Sequence, residues 1–267
     1  YNFHPSKRLG QNFLIDRNIK DKIIGAAGLR KEDTVLEIGP GLGALTEGLV
    51  EKAGKVIAVE KDKRLSDFLL NNMGSNADII SADILDYDFA GTEHCSVPAK
   101  FIVVGNLPYS ISSPILNKLI DNRSFISAAY VTVQLEFGER VVASAGTKDY
   151  GSLSCYARFY GKPEILFKIP RGAFFPVPDV DSCLLKIVFE QNIDSSIDQG
   201  LLFRIIRSSF EKRRKTILNS LASSGLFKSK EEAFSRLSET GISPTRRPET
   251  ISLEEFITLS RHLMRQK

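Results

Sequence analysis

The segment Asn106-Leu-Pro-Tyr109 holds the side chains best suited to chemistry on a planar amine. The Asn106 side-chain carbonyl and the backbone carbonyl of Leu107 or Pro108 would provide two hydrogen-bond acceptors for one amino group. The Tyr109 ring offers a face on which a base can stack. A proline-stiffened turn capped by the asparagine is the structural alternative. Because the segment directly follows a predicted strand, its position favours recognition of an exocyclic amine.

Three glycines, Gly39, Gly41 and Gly43, lie between a strand-like apolar run and a helical pattern. Such a loop lets the backbone approach a nucleotide and offer N–H donors at a positive helix end. With Ala44 the run also satisfies the dinucleotide pattern, so the loop alone leaves both a nicotinamide cofactor and S-adenosylmethionine open. Glu60 lies 21 residues after Gly39 at the end of the next predicted strand, where a carboxylate can accept from both ribose hydroxyls. The combination predicts adenosine binding.

Asp83 and Ile84 follow the third predicted strand. The Asp83 carboxylate could accept a hydrogen bond from an adenine amino group while Ile84 covers the ring. An aspartate after a strand is also a common helix N-cap, so this position depends on the glycines and Glu60 for its functional interpretation.

The elements that must position these residues alternate between strand and helix. Strands are predicted at 34–38, 56–59, 78–82 and 101–104, with helical segments between them and a helix capped by Asp16 and Gly28 before them. Further strands are predicted at 130–133, 165–169 and 182–189, and a helix at 135–145. This alternation predicts a Rossmann-like α/β domain, a mostly parallel sheet with helices on both faces. Ligands bind such sheets at the carboxyl ends of the strands.

A polar segment from Glu190 to Gly200 separates this body from a purely helical region. Helices are expected at 201–210, 216–226, 231–237 and 253–263, and Ser252 with Glu255 forms a capping box before the last one. We therefore predict two domains, an α/β domain over residues 1–190 and a small all-helical domain over 191–267.

The composition is that of a globular protein, with 42% hydrophobic and 25% charged residues in a chain of 267. No apolar run approaches the roughly 18 residues that cross a bilayer, and the start is not a signal peptide. Three widely spaced cysteines without a Cys-x-x-Cys pair predict neither a disulfide framework nor a metal site, which favours a reducing, cytoplasmic compartment. Because the chain opens on Tyr, we expect a few native residues to precede it.

Charge is distributed unevenly along the chain. Residues 1–31 carry a net charge of +5, residues 32–190 a net charge of −6 and residues 191–267 a net charge of +5. Basic ends around an acidic body suit a polyanion such as RNA, although an ordinary solvated surface is the alternative. We expect the consecutive cations Lys212, Arg213, Arg214 and Lys215 to contact RNA phosphates.

The chain resembles the KsgA family of bacterial small-subunit ribosomal RNA adenine dimethyltransferases. This family lies within the wider group that includes the erythromycin-resistance rRNA methyltransferases. The resemblance runs nearly end to end. The matching stretches are Gln11-Asn-Phe-Leu14, Val35-Leu-Glu-Ile-Gly-Pro-Gly-Leu-Gly43, Asn106-Leu-Pro-Tyr-Ser-Ile-Ser-Ser-Pro-Ile115, Phe174-Phe-Pro-Val-Pro-Asp-Val-Asp-Ser182, Phe210-Glu-Lys-Arg-Arg-Lys-Thr216 and Arg247-Pro-Glu-Thr-Ile-Ser-Leu-Glu-Glu-Phe256.

The resemblance implies an S-adenosylmethionine-dependent enzyme that dimethylates N6 of two adjacent adenosines. Its target would lie in the 3′-terminal hairpin loop of 16S rRNA within the assembling small subunit, and we expect the chain to act as a monomer. The residues implied to contact the cofactor are Asn12, Leu14, Gly39, Glu60, Asp83 and Asn106. Phe174 is implied to lie opposite Tyr109 across the target base, although core packing is expected for one of Phe174 and Phe175.

Two further functions remain open from the sequence. A nicotinamide oxidoreductase would explain the glycines and Glu60 but would leave Asn106 to Tyr109 and the basic helices unused. A non-catalytic RNA-binding assembly or transcription factor would keep the fold without the chemistry, and the intact Asn106-Leu-Pro-Tyr109 argues against that loss.

Overall fold

A computed structural model describes residues 5, 10–73, 77–90, 100–212 and 214–264. The chain divides into two compact units. Among the described residues, the first contains those up to Gly138 together with Lys162–Gln191, and the second contains Glu139–Gly161 and the residues from Asn192 onward. This division differs from the predicted one at 190/191, because residues 139–161 group with the C-terminal helices. The roles predicted for the two domains stay predictions.

The first unit is built on strands and connecting helices in alternation. The strands are β1 Phe13–Leu14, β2 Thr34–Ile38, β3 Lys55–Glu60, β4 Ala77–Ser81, β5 Phe101–Asn106, β6 Ile126–Gln134, β7 Gly161–Ile169, β8 Phe174–Phe175 and β9 Ser182–Phe189. The helices are α1 Arg17–Ala27, α2 Thr46–Lys52, α3 Lys63–Asn72, α4 Ser112–Asp121 and α5 Leu135–Val142, the last of which continues into the second unit.

Seven strands form one sheet in the order β4-β3-β2-β5-β6-β9-β7. The β2, β3, β4, β5 and β6 neighbours pair in parallel, and β9 pairs antiparallel with β6. The predicted mostly parallel sheet is confirmed. Strands covered on both sides read as continuous apolar runs, and Val35, Leu36, Val56 and Ile57 are accordingly fully buried.

Helix α1 begins and ends where the sequence predicts. The Asp16 carboxylate accepts a hydrogen bond from the Ile19 backbone N–H at 3.1 Å, which satisfies one free donor of the first turn. Gly28 ends the helix in the left-handed region, with φ of 58°.

A two-stranded ribbon that the sequence analysis did not predict joins β1 to β8. The strands are antiparallel, with Phe13 opposite Phe175 and Leu14 opposite Phe174. Leu14 and Phe174 face the hydrophobic core. The ribbon therefore ties the N-terminal segment to a stretch about 160 residues later, and two-residue strands carry no periodicity from which this could be read.

The second unit is helical. Its helices are α6 Ser152–Tyr160, α7 Gln199–Phe210, α8 Ile217–Ala222, α9 Lys230–Glu239 and α10 Leu253–Met264. Helix α6 packs on α7 through rings, since Tyr160 stacks on Phe203 with centroids 5.6 Å apart and Phe159 meets the same ring edge-on. The predicted capping box is present, with Ser252 and Glu255 exchanging side-chain to backbone hydrogen bonds. Over the part of the chain that is described, none of the helices has the length and apolar character that a membrane span requires.

Candidate active site

A cavity of the first unit lies at the carboxyl ends of β2, β3 and β5, the edge at which ligands bind in such sheets. The structure brings every residue predicted to contact the cofactor to its wall, namely Asn12, Leu14, Gly39, Gly41, Glu60, Asp83, Ile84 and Asn106. Leu107, Pro108 and Tyr109 lie on the same wall. Residues far apart in the chain therefore meet around one space.

The glycine loop connects β2 to α2. Gly39, Gly41 and Gly43 all have positive φ, and the Gly43 N–H donates to the Pro40 carbonyl at 2.9 Å to close a turn. A Cβ on Gly41 would lie 3.0 Å from the Phe13 ring, so a side chain there would be both strained and crowded. Helix α2 begins only at Thr46, so the glycines precede the helix without opening it directly.

Glu60 ends β3 with its carboxylate held by two backbone donors. The Gly41 N–H donates to Oε2 at 3.1 Å, and the Asp62 N–H donates to Oε1 at 2.8 Å. Burial raises the pKa of Glu60 above its ordinary value, and the two backbone donors oppose that rise. Each oxygen keeps a lone pair for a further donor. The group is thus oriented as a bidentate acceptor at the cavity wall.

Asp83 follows β4 and fulfils a structural role as well. Its Oδ1 accepts from the Leu85 N–H at 3.0 Å, and its Oδ2 accepts from Lys61 Nζ at 2.5 Å. A turn and not a helix follows at residues 84–86, so Asp83 is not the helix N-cap that the sequence left open. Burial alone would raise the pKa of Asp83, but the Lys61 and Leu85 hydrogen bonds hold it below its ordinary value. The carboxylate is therefore ionised and remains an acceptor on the cavity wall.

Glu37 is a cavity residue that the sequence analysis did not single out. It precedes the glycine loop on β2 and is only 1% exposed. Within the described residues its Oε2 has no hydrogen-bond partner, although Glu37 contributes to the cavity wall. Burial raises the pKa of this carboxyl to about 8. An acidic residue inside an otherwise apolar buried strand was the signal that could have identified it.

Asn106, at the end of β5, has its amide fixed in one orientation. Its Nδ2 donates to the backbone carbonyl of Asn12 at 2.7 Å. This bond uses the amide nitrogen on the N-terminal segment, so Oδ1 remains as the acceptor that the side chain offers. A carbonyl oxygen of this kind can accept a hydrogen bond from an amine.

The backbone carbonyls of Leu107 and Pro108 are the two candidates for the second acceptor. The Pro108 carbonyl already accepts from the Ile111 N–H at 3.1 Å and from the Ser112 hydroxyl at 3.2 Å, both at the start of α4. Leu107 is anchored through its N–H, which donates to the Thr132 carbonyl at 3.0 Å. Of the two alternatives left open by the sequence, the Leu107 carbonyl is the better second acceptor.

Tyr109 is held by a residue of a distant strand. Its hydroxyl shares a hydrogen bond of 2.7 Å with the hydroxyl of Ser182, a fully buried residue at the start of β9. Burial raises the pKa of the Tyr109 phenol above its ordinary value, and the phenol therefore stays neutral. The bond fixes the ring at the cavity wall. Ser182 ends the stretch 174–182 that resembles the family, but no sequence pattern indicates its partner.

Phe174 is the predicted site residue that the structure does not bring to the cavity. It has no exposed surface and belongs to the hydrophobic core, whereas its neighbour Phe175 is 57% exposed. In this arrangement the Phe174 ring presents no face to a base opposite Tyr109. Its stacking role stays a prediction, and the expectation that one of the two phenylalanines packs in the core applies to Phe174.

The predicted phosphate-binding cations belong to the second unit. Lys212, Arg214 and Lys215 follow α7 and are exposed, while Arg213 lies outside the described residues. Lys212 Nζ donates to the Ser223 hydroxyl at 2.9 Å. The structure thus places three of these cations at the surface, and their contact with RNA stays a prediction.

Comparisons with known proteins identify the family. The family model described as ribosomal RNA adenine dimethylase matches residues 2–264. The chain is 43% identical to a ribosomal RNA small subunit methyltransferase A of Pelotomaculum thermopropionicum, over 96% of this chain and 90% of that protein. It is 40% identical to the protein of the same name from Bacillus mycoides, over 100% of this chain and 94% of that one.

Two solved structures share the fold along most of their length. A dimethyladenosine transferase from Plasmodium falciparum superposes with a TM-score of 0.78 at 26% identity, covering 92% of this chain and 95% of that one. The 23S rRNA methyltransferase ErmE superposes with a TM-score of 0.72 at 26% identity, covering 95% and 100%. The chain therefore belongs to the ribosomal RNA adenine dimethylases, a family of S-adenosylmethionine-dependent methyltransferases.

Proposed function

We propose that this enzyme methylates N6 of two adjacent adenosines in the loop of the 3′-terminal hairpin of 16S rRNA, giving N6,N6-dimethyladenosine. It would act as a monomer, in the cytoplasm, on the assembling small subunit. The observation that carries the proposal is the fixed amide of Asn106, whose Nδ2 is bound to the Asn12 carbonyl and whose Oδ1 is left to accept. The relatives at 40–43% identity are named for the small-subunit RNA.

The acceptors at Asn106 and Leu107 suit an adenine amine. The N6 lone pair is delocalised into the ring, which makes the nitrogen a poor nucleophile. Asn106 Oδ1 and the Leu107 carbonyl would accept its two hydrogens and favour the tetrahedral nitrogen that develops during attack. A strong base is not needed, because the nitrogen becomes acidic once it is alkylated and its proton can pass to water.

The cavity wall fits the cofactor of the family. When bound, S-adenosylmethionine supplies an electrophilic methyl group on a sulfonium centre. Glu37 places on the cavity wall a buried carboxyl whose Oε2 has no partner within the described residues, and a ligand that carries ammonium and sulfonium charges would favour its ionised form. The Glu60 carboxylate is positioned as a bidentate acceptor for ribose hydroxyls. Asp83 would accept from the adenine amino group and Ile84 would cover the ring.

The target base must leave its stack to reach this edge. Extrusion costs a few kcal/mol and is easier in a hairpin loop than in a duplex, which favours a loop adenosine as substrate. Tyr109, held by Ser182, would then stack on the extruded base and align its amine. A second round of methylation requires room for one methyl group beside Asn106.

A single labelling experiment tests substrate, position and chemistry together. The enzyme is given radiolabelled S-adenosylmethionine with undermethylated small subunits, large subunits and naked rRNA in parallel, and labelled nucleotides are mapped. We expect label in small subunits, as dimethyladenosine at two neighbouring positions of the hairpin loop. Label on large subunits, or on another nucleotide, would overturn the proposal.

A further inference from the structure

Four exposed apolar side chains gather on two segments that the β1–β8 ribbon joins. They are Ile15, Phe175, Val177 and Val180, and we call them the rim patch. The described residues contain eight exposed large hydrophobic side chains, so half of them lie on these two short segments. Single exposed apolar residues are ordinary, whereas four on two joined segments indicate a candidate contact surface.

The segment that carries Phe175, Val177 and Val180 is connected to residues of the cavity wall at both of its ends. Phe175 lies directly opposite Phe13 in the antiparallel ribbon, and directly opposite residues share one face of a ribbon. Phe13 is part of the cavity wall and packs against the glycine loop at Gly41. At the other end of the segment, Ser182 is bonded to Tyr109 of the cavity wall. The chain from Phe175 to Ser182 therefore begins and ends at residues that contact the cavity wall.

The segment that carries the patch is anchored at both flanks. The Ile15 N–H donates to the Ala173 carbonyl at 2.8 Å. The Asp181 side chain accepts from the Arg171 N–H at 2.9 Å, and its carbonyl accepts from the Leu135 N–H at 3.0 Å. Apolar side chains are thus held in water by a fixed backbone, which is the arrangement of a preformed binding surface.

Two guanidinium groups and three carboxyl groups lie near the patch in sequence. Arg17 and Arg171 are exposed and flank it in sequence on either strand of the ribbon. The neighbouring acids Asp16 and Asp181 accept hydrogen bonds from backbone N–H groups, while Asp179 is exposed. An aromatic face beside guanidinium groups suits unpaired bases with their phosphates.

We propose that Phe175 stacks on an unpaired base next to the target adenosine, with the rest of the rim patch covering that nucleotide. This inference rests on the proposed function, since it takes the RNA loop as the strand that crosses the rim. A base that enters the cavity brings its neighbours to the rim, where they have lost their own stacking partners. The exposed ring replaces the lost stacking.

The test compares Phe175→Ala with Phe175→Tyr and with Phe234→Ala, the last a control because Phe234 is 53% exposed on α9. The probe is a hairpin RNA with the sequence of the 3′ end of the small-subunit rRNA, and its Kd is measured without cofactor. We expect Phe175→Ala to raise the Kd roughly 5- to 150-fold. The Kd values of Phe175→Tyr and of Phe234→Ala should both equal that of the parent. The salt dependence should not change, because no charge is removed.

Three results would overturn the inference. The first is a Kd for Phe175→Ala equal to that of Phe234→Ala. The second is a loss that Phe175→Tyr does not restore. The third is an effect seen with whole subunits and absent on the hairpin, which would assign the patch to a ribosomal protein. The Kd measurement requires no turnover, so it tests the stacking role alone. Failure of the proposed function would appear in the labelling experiment, where the parent enzyme would label other nucleotides. Equal thermal unfolding midpoints among the variants verify their folding.

Discussion

The hydroxyl of Tyr109 lies 2.7 Å from the hydroxyl of Ser182, a residue 73 positions later in the chain. The bond joins the segment after β5 to the first residue of β9, so two strands of the sheet together set the orientation of one ring at the cavity wall. We therefore expect the phenol to position the ring and not to transfer a proton. This separates the role of the ring from that of its hydroxyl.

We expect Tyr109→Phe to retain most of the single-turnover rate and Tyr109→Ala to lose it. The ring supplies a stacking face worth about 1–3 kcal/mol per base, which phenylalanine keeps. Ser182→Ala should resemble Tyr109→Phe, because each removes one side of the same hydrogen bond at a cost of about 1 kcal/mol. The measurement is methylation at saturating cofactor. A Tyr109→Phe enzyme as inactive as Tyr109→Ala would favour chemistry at the hydroxyl.

The sequence predicted what local pattern determines. The caps of α1, the buried strands β2 and β3 and the capping box before α10 each depend on residues close together in the chain, and the structure has all of them. The residues at successive strand ends converge because parallel strands bring their carboxyl ends to one edge.

What the sequence did not predict depends on contacts between distant residues. Which of Phe174 and Phe175 is buried follows from the pairing of β8 with β1, and two residues in a ribbon have no period to show it. We favour the Leu107 carbonyl over that of Pro108 as the second acceptor because two donors at the start of α4 already bind the Pro108 carbonyl. Likewise, residues 139–161 group with the second unit because rings of α6 pack on Phe203.

Asn106→Ala should lower turnover about 10²–10³-fold with little change in cofactor affinity. It removes an acceptor whose hydrogen bond strengthens as the attacking nitrogen gains positive charge. Asn122→Ala is a matched control, since the Asn122 amide also donates to a backbone carbonyl, at 2.9 Å, but at the end of α4 and not on the cavity wall. Single-turnover rates measure the effect on chemistry, and cofactor titration measures the effect on cofactor affinity. Equal losses in cofactor affinity and in rate would mean that Asn106 acts in binding.

Glu60→Ala and Asp83→Ala should each weaken S-adenosylmethionine by about 1–3 kcal/mol through lost hydrogen bonds, leaving RNA affinity intact. Asp88→Ala is the control for Asp83, because Asp88 forms the same turn, its Oδ1 accepting from the Ala90 N–H at 2.9 Å, on the exposed surface. Calorimetric titration measures the affinities. Parent-like binding in both variants would show that these carboxylates do not contact the cofactor.

Glu37→Gln should change how stability depends on pH. Burial raises the pKa of Glu37 from 4.5 to about 8. Between these values the folded state holds a proton that the unfolded state releases, so the parent loses stability as pH rises through this window, by up to about 1.4 kcal/mol per unit. Glutamine stays neutral at every pH. The free energy of unfolding of the variant should therefore increase relative to that of the parent from pH 5 to pH 8.

Denaturant unfolding of parent and Glu37→Gln across that range gives the comparison. The control Glu51→Gln removes an exposed carboxyl from α2 of the same unit. Parallel profiles for the parent and Glu37→Gln would contradict the elevated pKa.

Neutralising Lys212, Arg213, Arg214 and Lys215 together should reduce the salt dependence of RNA binding. Each phosphate contact releases condensed counterions, so a lost contact lowers the slope of log K against log salt by roughly 0.7 on single strands. Replacement of all four by glutamine should weaken binding most at low salt and leave cofactor affinity unchanged.

Lys228→Gln with Lys230→Gln is the control, a basic pair of the same unit near the start of α9. RNA affinities measured over a range of potassium chloride concentrations give both slopes. If the quadruple variant and the parent share one slope, the four cations are solvated surface charges, and RNA must be held elsewhere.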